Sequence, residues 1–159
     1  MIWANFKRHC CLGKKMPNNY MQFALSVAEK SGGDIPVGCV IVKDGEVLAQ
    51  AANERERQND PSAHAEIVAL RAAAKALKNW RLDECELYVT LEPCPMCAWA
   101  ILNARIKRVY FGAYDEKYGA FGSALALQSL QGSKIELYGG IMEDECKALL
   151  QEYFKGLRK

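Results

Sequence analysis

Residues able to bind a soft metal ion occur in two short motifs, HAE at positions 64–66 and PCPMC at positions 93–97. One imidazole from His64 and two thiolates from Cys94 and Cys97 form a typical zinc ligand set. Three protein ligands leave a fourth position for water, which is the pattern of a catalytic site. Glu66 follows His64 by two residues, close enough to take a proton from such a water. The two motifs together therefore predict a catalytic zinc site.

Each motif taken alone also allows a simpler interpretation. A Cys-x-x-Cys pair is often a redox pair or half of a structural zinc site, and a lone His64 could be a capping or core histidine. A redox pair would leave HAE unused, and a closed structural site needs a fourth protein ligand. Cys39 and Cys85 are candidates for that ligand, but each falls in or beside a predicted strand and is more simply a small core residue.

The elements that must position these motifs can be predicted from turn signals and hydrophobic periodicity. Residues 35–53 form a hairpin around the favoured turn pair Asp44-Gly45, whereas the polar residues 54–62 are expected to be a loop. After it come helices at 63–80, 95–105 and 143–159 and strands at 86–92, 106–112 and 134–140. A further helix begins near residue 18 and stops at Gly32-Gly33. We therefore predict an α/β fold with three layers, α/β/α, and a mixed five-stranded sheet with an antiparallel edge hairpin.

This arrangement explains how the two motifs can meet. His64 lies at the beginning of one predicted helix and Cys94 and Cys97 lie at the beginning of the next, with one strand between. In open α/β sheets the ligand crevice lies beyond the carboxyl ends of the strands, so both helices can start from that edge. The positive ends of the two helix dipoles also favour thiolates there.

Length and composition limit the class of protein. The chain has 159 residues, a net charge of +2, seven cysteines and two histidines. This length suits one domain, and no apolar run approaches the roughly 18 residues of a membrane span. We predict a mobile tail at 1–15 and a single domain at 16–159, with Met16 as a possible true start. The odd cysteine count favours reduced thiols in a cytoplasmic protein, some of them on a metal.

Longer stretches of the sequence resemble a known family. NDPSAHAEIVALR, LYVTLEPCPMCAWAI and VYFGAYDEKYGAFGS are similar to the bacterial tRNA-specific adenosine deaminases of the cytidine and deoxycytidylate deaminase superfamily, which convert the wobble adenosine of an anticodon to inosine. The resemblance extends from about Tyr20 to about Phe154. It implies a cytidine-deaminase-like fold, one Zn²⁺ per chain on His64, Cys94 and Cys97, and a zinc-bound hydroxide that attacks adenine C6.

The resemblance also implies roles for other residues and for partners. Glu66 would be the proton shuttle that protonates N1 and the departing ammonia. The backbone amide of Ala65 would help to hold the base, Asn53 would bind the target nucleoside, and Asp115 would touch the ribose. The expected partners are a tRNA anticodon stem-loop and a second copy of the chain in a homodimer, with no membrane.

Several alternatives remain open at this point. Asn53 could simply end a strand and Asp115 could be a turn residue. The aromatic residues Tyr114, Tyr118 and Phe121 could stack on splayed bases or only pack in the dimer. The nearest rival function is deamination of a free base or nucleotide, namely cytosine, guanine or deoxycytidylate. A more remote one is a non-catalytic, zinc-stabilised binding module, for which Glu66 would be dispensable.

Overall fold

The structure of the protein is a computed structural model that describes residues 17–130 and 132–158. The predicted mobile tail at 1–15 and the possible start at Met16 lie outside the described residues. None of the described helices is long and apolar enough to cross a membrane.

One five-stranded sheet forms the centre of the fold, in the order β2-β1-β3-β4-β5. β1 pairs antiparallel with β2 and with β3, whereas β3, β4 and β5 are parallel to one another. The mixed sheet with an antiparallel edge hairpin is therefore confirmed. The strands are β1 Gly38–Lys43, β2 Glu46–Ala52, β3 Glu86–Leu91, β4 Arg108–Ala113 and β5 Glu136–Tyr138.

The hairpin turn follows from the residues that form it. Asp44 and Gly45 both adopt positive φ angles, 52° and 79°. Two consecutive positive φ angles are the requirement of a type I′ turn, and aspartate and glycine tolerate them. This turn matches the right-handed twist of β1 and β2, so the predicted hairpin forms where its turn signal lies.

Helices cover both faces of the sheet and complete the predicted three layers. α3 and α4 contribute Ala69, Leu70 and Ile101 to one buried cluster, together with strand residues such as Ile41 and Val89. α1 and α5 cover the other face, where Met21, Ala24 and Cys146 pack against the sheet. The helices are α1 Pro17–Ala28, α2 Arg55–Gln58, α3 Ala65–Leu77, α4 Pro95–Asn103 and α5 Glu143–Leu157.

The segment predicted to be a loop at 54–62 is partly helical, because α2 forms one turn within it. The buried carboxylate of Asp34 accepts the backbone N–H of Glu56 at 3.1 and 3.2 Å, and this bond satisfies one of the free donors at the start of a helix. Asn59 then ends the turn in the left-handed conformation. The loop prediction was wrong here because the stabilising acceptor lies 22 residues away in the sequence.

The direction of the strands decides where the functional residues lie. β2 is antiparallel to β1, which is antiparallel to β3, so β2 runs in the same direction as β3 and β4. The residues that follow these three strands therefore meet at one edge of the sheet. They include Asn53 after β2, Glu92 after β3 and Asp115 after β4.

Close contact between β1 and α1 makes a stability prediction possible. A Cβ atom at Gly38 would overlap the backbone oxygen of Ala24 and lie 2.6 Å from the backbone nitrogen of Ala28. Gly38→Ala should therefore lower the free energy of unfolding by about 2 to 3 kcal/mol, because a helix backbone must move. Urea denaturation followed by circular dichroism measures this change.

Gly156→Ala is the matched control. A Cβ atom at this position of α5 would have no neighbour within 4 Å. Alanine should leave the stability unchanged or raise it by up to about 1 kcal/mol. Equal unfolding midpoints for Gly38→Ala and the unmodified chain would contradict the close contact.

Candidate metal centre and active site

Both metal-binding motifs lie at helix N-termini. His64 is the residue immediately before α3, and Cys94 is the residue immediately before α4. Both have extended backbone conformations, and neither side chain caps its own helix. Cys97 lies in the first turn of α4 and is fully buried. The unpaired N–H groups at both helix ends therefore give this site a positive potential.

The three side chains converge as predicted from the sequence. The Nδ1 atom of His64 lies 3.6 Å from the sulfur of Cys94 and 3.5 Å from the sulfur of Cys97. The three ligand atoms lie within 4.8 Å of one another. A nitrogen and a sulfur on one tetrahedral zinc ion, at bond lengths of about 2.0 and about 2.3 Å, would be about 3.5 Å apart. The spacing and the donor types therefore fit zinc.

The environment favours a thiolate at this position. Hydrogen bonds from Cys97 and from His64 together lower the pKa of Cys94 to about 4, against the opposing effect of burial. The same bond to Cys94, together with burial, raises the pKa of Cys97. The arrangement therefore favours a thiolate at Cys94 and a thiol proton on Cys97. Metal binding would displace that proton, because zinc binds cysteine as thiolate.

Glu66 is the catalytic candidate, and its side chain is almost inaccessible. It lies in the first turn of α3 and is 4% exposed. Burial raises its pKa to about 7, although its own backbone N–H and His64 favour the charged form. A carboxyl group with this pKa can both accept and release a proton near neutral pH. Such a group beside a metal-ligand cluster is suited to general acid–base chemistry.

Asn53 has an arrangement that suggests a binding role. It is 6% exposed, and its side-chain amide donates a hydrogen bond of 3.3 Å to the backbone oxygen of Ile35. Its side-chain oxygen Oδ1 is buried and has no hydrogen-bond partner. The next residue, Glu54, donates its backbone N–H to Ala63, which precedes His64. The bond to Ile35 therefore fixes the orientation of the Asn53 amide beside the metal-binding segment, and Oδ1 remains an acceptor without a donor.

Ala65 and Asp115 were also predicted to contact the substrate. Ala65 is the first residue of α3, where backbone N–H groups have no acceptor within the helix. Asp115 is half-buried, and its Oδ1 atom accepts the backbone N–H groups of Lys117 and Tyr118, each at 3.0 Å. Asp115 is therefore a turn residue, which is the simpler of its two predicted roles. This turn lies at the same edge of the sheet as the metal-ligand cluster.

The other cysteines of the described segments are separate from this cluster. Cys39 lies in β1 and Cys85 directly precedes β3, and both are fully buried in the core on the α3 side. Within residues 17–130 and 132–158, only His64, Cys94 and Cys97 form a group of metal-ligand type. The interpretation of Cys39 and Cys85 as core residues is confirmed.

The three aromatic residues near Asp115 differ in exposure. Phe121 is buried, and Tyr114 packs edge-on against Phe111 with ring centroids 5.2 Å apart. Tyr118 is exposed, and the ammonium group of Lys117 lies 4.9 Å from the centre of its ring. Of these three rings, Tyr118 is therefore the one available for stacking on an unpaired base.

Glu92 is a buried polar residue that sequence reasoning did not single out. It accepts hydrogen bonds from the segment that contains Asp115. The sequence signal for it was available: Glu92 follows five apolar or small strand residues at positions 87–91, and an acidic residue in a buried stretch needs hydrogen-bond partners.

Comparison with known proteins places this geometry in a family. Residues 14–113 match the model of the cytidine and deoxycytidylate deaminase zinc-binding region. The chain is 42% identical over 144 residues to the tRNA-specific adenosine deaminase of Bacillus subtilis (strain 168), covering 88% of this chain and 89% of that protein.

Two solved structures show the same fold. One comes from a study of A-to-I editing by tRNA:A34 deaminases at the wobble position of transfer RNA. It is 43% identical with a TM-score of 0.80, covering 83% of this chain and 99% of the other. The other is guanine deaminase from Bacillus subtilis, also 43% identical, with a TM-score of 0.59 over 60% of this chain and 63% of the other. With its metal-ligand cluster and three-layer fold, the chain belongs to the zinc-binding cytidine and deoxycytidylate deaminase family, as a member of its tRNA-specific adenosine deaminase branch.

Proposed function

We propose that this protein is a zinc-dependent hydrolase that converts adenosine to inosine at the wobble position of a tRNA anticodon. The observation that carries the proposal is the cluster of His64, Cys94 and Cys97 with the buried Glu66 two residues after His64. Its support comes from a relative and a solved structure, both from tRNA adenosine deaminases, that match most of this chain.

The reaction adds water to adenine C6 and releases ammonia. Zinc held by the three ligands, one ion per chain, would lower the pKa of a bound water to near neutrality. Glu66 accepts a proton from the attacking water and delivers it to adenine N1. It then accepts the proton of the new C6 hydroxyl and delivers it to the leaving amino group, which departs as ammonia while C6 becomes a carbonyl. Its raised pKa of about 7 suits both directions of transfer.

Three further residues would hold the adenosine. The unpaired Oδ1 of Asn53 is an acceptor for the nucleoside, and its orientation is set by the bond to Ile35. The Ala65 N–H, unpaired at the helix start, would donate to the base. Asp115 would contact the ribose with the part of its carboxylate not used in the turn.

The nearest alternative substrate is a free base such as guanine. The guanine deaminase structure supports it, because that protein is as similar in sequence over the matched region. The match covers 60% of this chain, however, against 83% for the tRNA deaminase structure. Identity of 42% to 43% over more than four fifths of the chain, as found for the tRNA deaminases, therefore favours RNA as the substrate.

The described cysteines and an exposed apolar face support two further parts of the proposal. The five cysteines of the described segments form no disulfide bonds, which suits a cytoplasmic protein.

Met96 and Trp99 lie on the outer face of α4 and are 39% and 41% exposed. Adjacent exposed apolar side chains often mark an interface, so α4 would contact its counterpart in a homodimer.

The proposed activity can be tested with defined substrates. Zinc-loaded protein is incubated separately with an anticodon stem-loop containing a wobble adenosine and with free guanine, cytosine and deoxycytidylate. We expect inosine in the stem-loop and no ammonia release from the free compounds, measured by nucleoside chromatography and an ammonia assay. If the protein deaminated guanine and not the stem-loop, the proposed RNA substrate would be wrong and the substrate would be a free base.

Glu66→Gln is the matched control for this experiment. The variant keeps all three metal ligands, so zinc content should remain at one ion per chain. Turnover should fall by a factor of about 10² or more, because the proton shuttle is lost. Undiminished turnover in the zinc-loaded variant would contradict the role of Glu66, and a stem-loop that is bound but never deaminated by the unmodified chain would favour the binding module.

Asn53→Ala tests the unpaired acceptor at the nucleoside. Removing a buried acceptor for the substrate should lower kcat/KM on the stem-loop by about tenfold to hundredfold. The bond to Ile35 is lost as well, so thermal unfolding is measured in parallel. Asn79→Ala, at an exposed asparagine, serves as the control. Equal kcat/KM values for the two variants would contradict a role of Asn53 in substrate binding.

Trp99→Glu tests the homodimer. A charge in the middle of the outer face of α4 should convert the protein from dimer to monomer, as measured by light scattering after size-exclusion chromatography. Phe154→Ser changes an exposed aromatic residue on α5, which covers the opposite face of the sheet, and should leave the mass unchanged. An unmodified chain that is monomeric, or a Trp99→Glu variant that stays dimeric, would contradict an interface at α4.

A further inference from the structure

Glu92 is a buried carboxylate beside the metal-binding turn. It follows β3, precedes Cys94 by two residues and is 2% exposed. Burying a carboxylate without partners costs several kcal/mol, so its partners indicate what the residue does. Among the described residues, no lysine, arginine or histidine forms an ion pair with it within 4 Å.

All four side-chain hydrogen bonds of Glu92 come from one segment, residues 115–123, which we call the rim loop. Oε2 accepts the backbone N–H of Asp115 at 3.1 Å and the hydroxyl group of Ser123. Oε1 accepts the backbone N–H groups of Phe121 and Ser123, both at 3.1 Å. The carboxylate therefore binds both ends of the rim loop at once.

Backbone contacts support the same connection. The N–H of Glu92 donates to Ala113 at 2.8 Å, and the N–H of Ala120 donates to Pro93 at 2.9 Å. At Gly119 a Cβ atom would overlap the carboxylate of Glu92 and lie 2.5 Å from the backbone oxygen of Asp115. The rim loop thus closes tightly around Glu92, and a glycine is required where it passes the carboxylate.

The consequence concerns the groups that the rim loop presents. Asp115 donates its N–H to Glu92, and its own carboxylate fixes the turn that leads to the exposed Tyr118. Glu92 is also joined through Pro93 to the ligand Cys94. One side chain therefore connects the position of the rim loop to the position of the metal ligands.

We propose that Glu92 is a positioning residue that holds the rim loop at a fixed place relative to the metal centre, so that the loop can contact RNA around the reacting adenosine. This inference rests on the proposed function. A carboxylate is required because the four donors need acceptors on both oxygens, whereas an amide offers one oxygen and an NH₂ group. Glutamine would leave at least one buried N–H or O–H group unpaired, which loosens the loop.

The test compares KM and kcat of Glu92→Gln on the anticodon stem-loop, with zinc content and thermal unfolding measured on the same samples. KM should rise about tenfold, because RNA contacts depend on the loop. Zinc content should stay at one per chain and kcat should stay near that of the unmodified protein, because the ligands and Glu66 are unchanged. A merely structural role would lower the active fraction and leave KM unchanged.

Changes on the loop side keep the test informative if Glu92→Gln folds poorly. Ser123→Ala removes one of the four donors and should raise KM less than Glu92→Gln does, and Ser123→Thr should restore KM by returning the hydroxyl group. Gly119→Ala should raise KM as Glu92→Gln does, because its Cβ displaces the carboxylate. Gly33→Ala is the glycine control, since a Cβ there has no neighbour within 4 Å.

The outcomes separate the two proposals. An unmodified chain that does not act on the stem-loop overturns the proposed function, and the positioning role with it. An active chain whose folded, zinc-loaded Glu92→Gln and Gly119→Ala variants keep the original KM overturns the positioning role alone. A loss of zinc from these variants with KM unchanged also overturns it, because Glu92 would then act on the metal ligands.

Discussion

The N-termini of α3 and α4 lie next to each other at one edge of the sheet, and the metal-ligand cluster depends on this arrangement. His64 and Cys94 are 30 residues apart, yet each directly precedes a helix that starts at that edge. β3 connects the two helices in the chain, both pack on the same face of the sheet, and the metal-ligand atoms lie within 4.8 Å of one another. The same helix ends supply the positive potential that favours thiolate ligands, which links the placement of the ligands to their chemistry.

Two buried glutamates near this edge show how environment decides the role of a carboxyl group. Glu66 lies next to the metal ligands, and burial raises its pKa to about 7, which suits proton transfer. Glu92 accepts four hydrogen bonds from the rim loop, which suits a group that holds its neighbours in place. The side chains are identical, and the two proposed roles differ because four donors surround the carboxylate of Glu92 whereas burial dominates the environment of Glu66.

The fold alone does not determine the substrate. Structures from the tRNA:A34 deaminase study and of a guanine deaminase share it with this chain. In the proposed mechanism the metal ligands and Glu66 serve hydrolytic deamination of any base, so discrimination between substrates would come from the residues around them. In this chain the rim loop presents Asp115 and the exposed Tyr118 near the site, whereas Phe121 is buried and contributes to packing. A loop that exposes an aromatic ring is suited to stacking on an unpaired base of RNA.

The sequence by itself determined the chemistry and the layout of this protein. The ligand types at 64, 94 and 97, the Asp44-Gly45 turn and the alternation of strands and helices predict the metal centre and the mixed sheet, because these signals are local or periodic. Only the tertiary structure decided the one-turn helix α2, the unpaired Oδ1 of Asn53 and the four bonds to Glu92. Asp34 lies 22 residues from Glu56, and Glu92 lies 23 to 31 residues from its donors. Contacts at such separations depend on how loops pack at the edge of the sheet, and loops have no periodic pattern from which those contacts can be predicted.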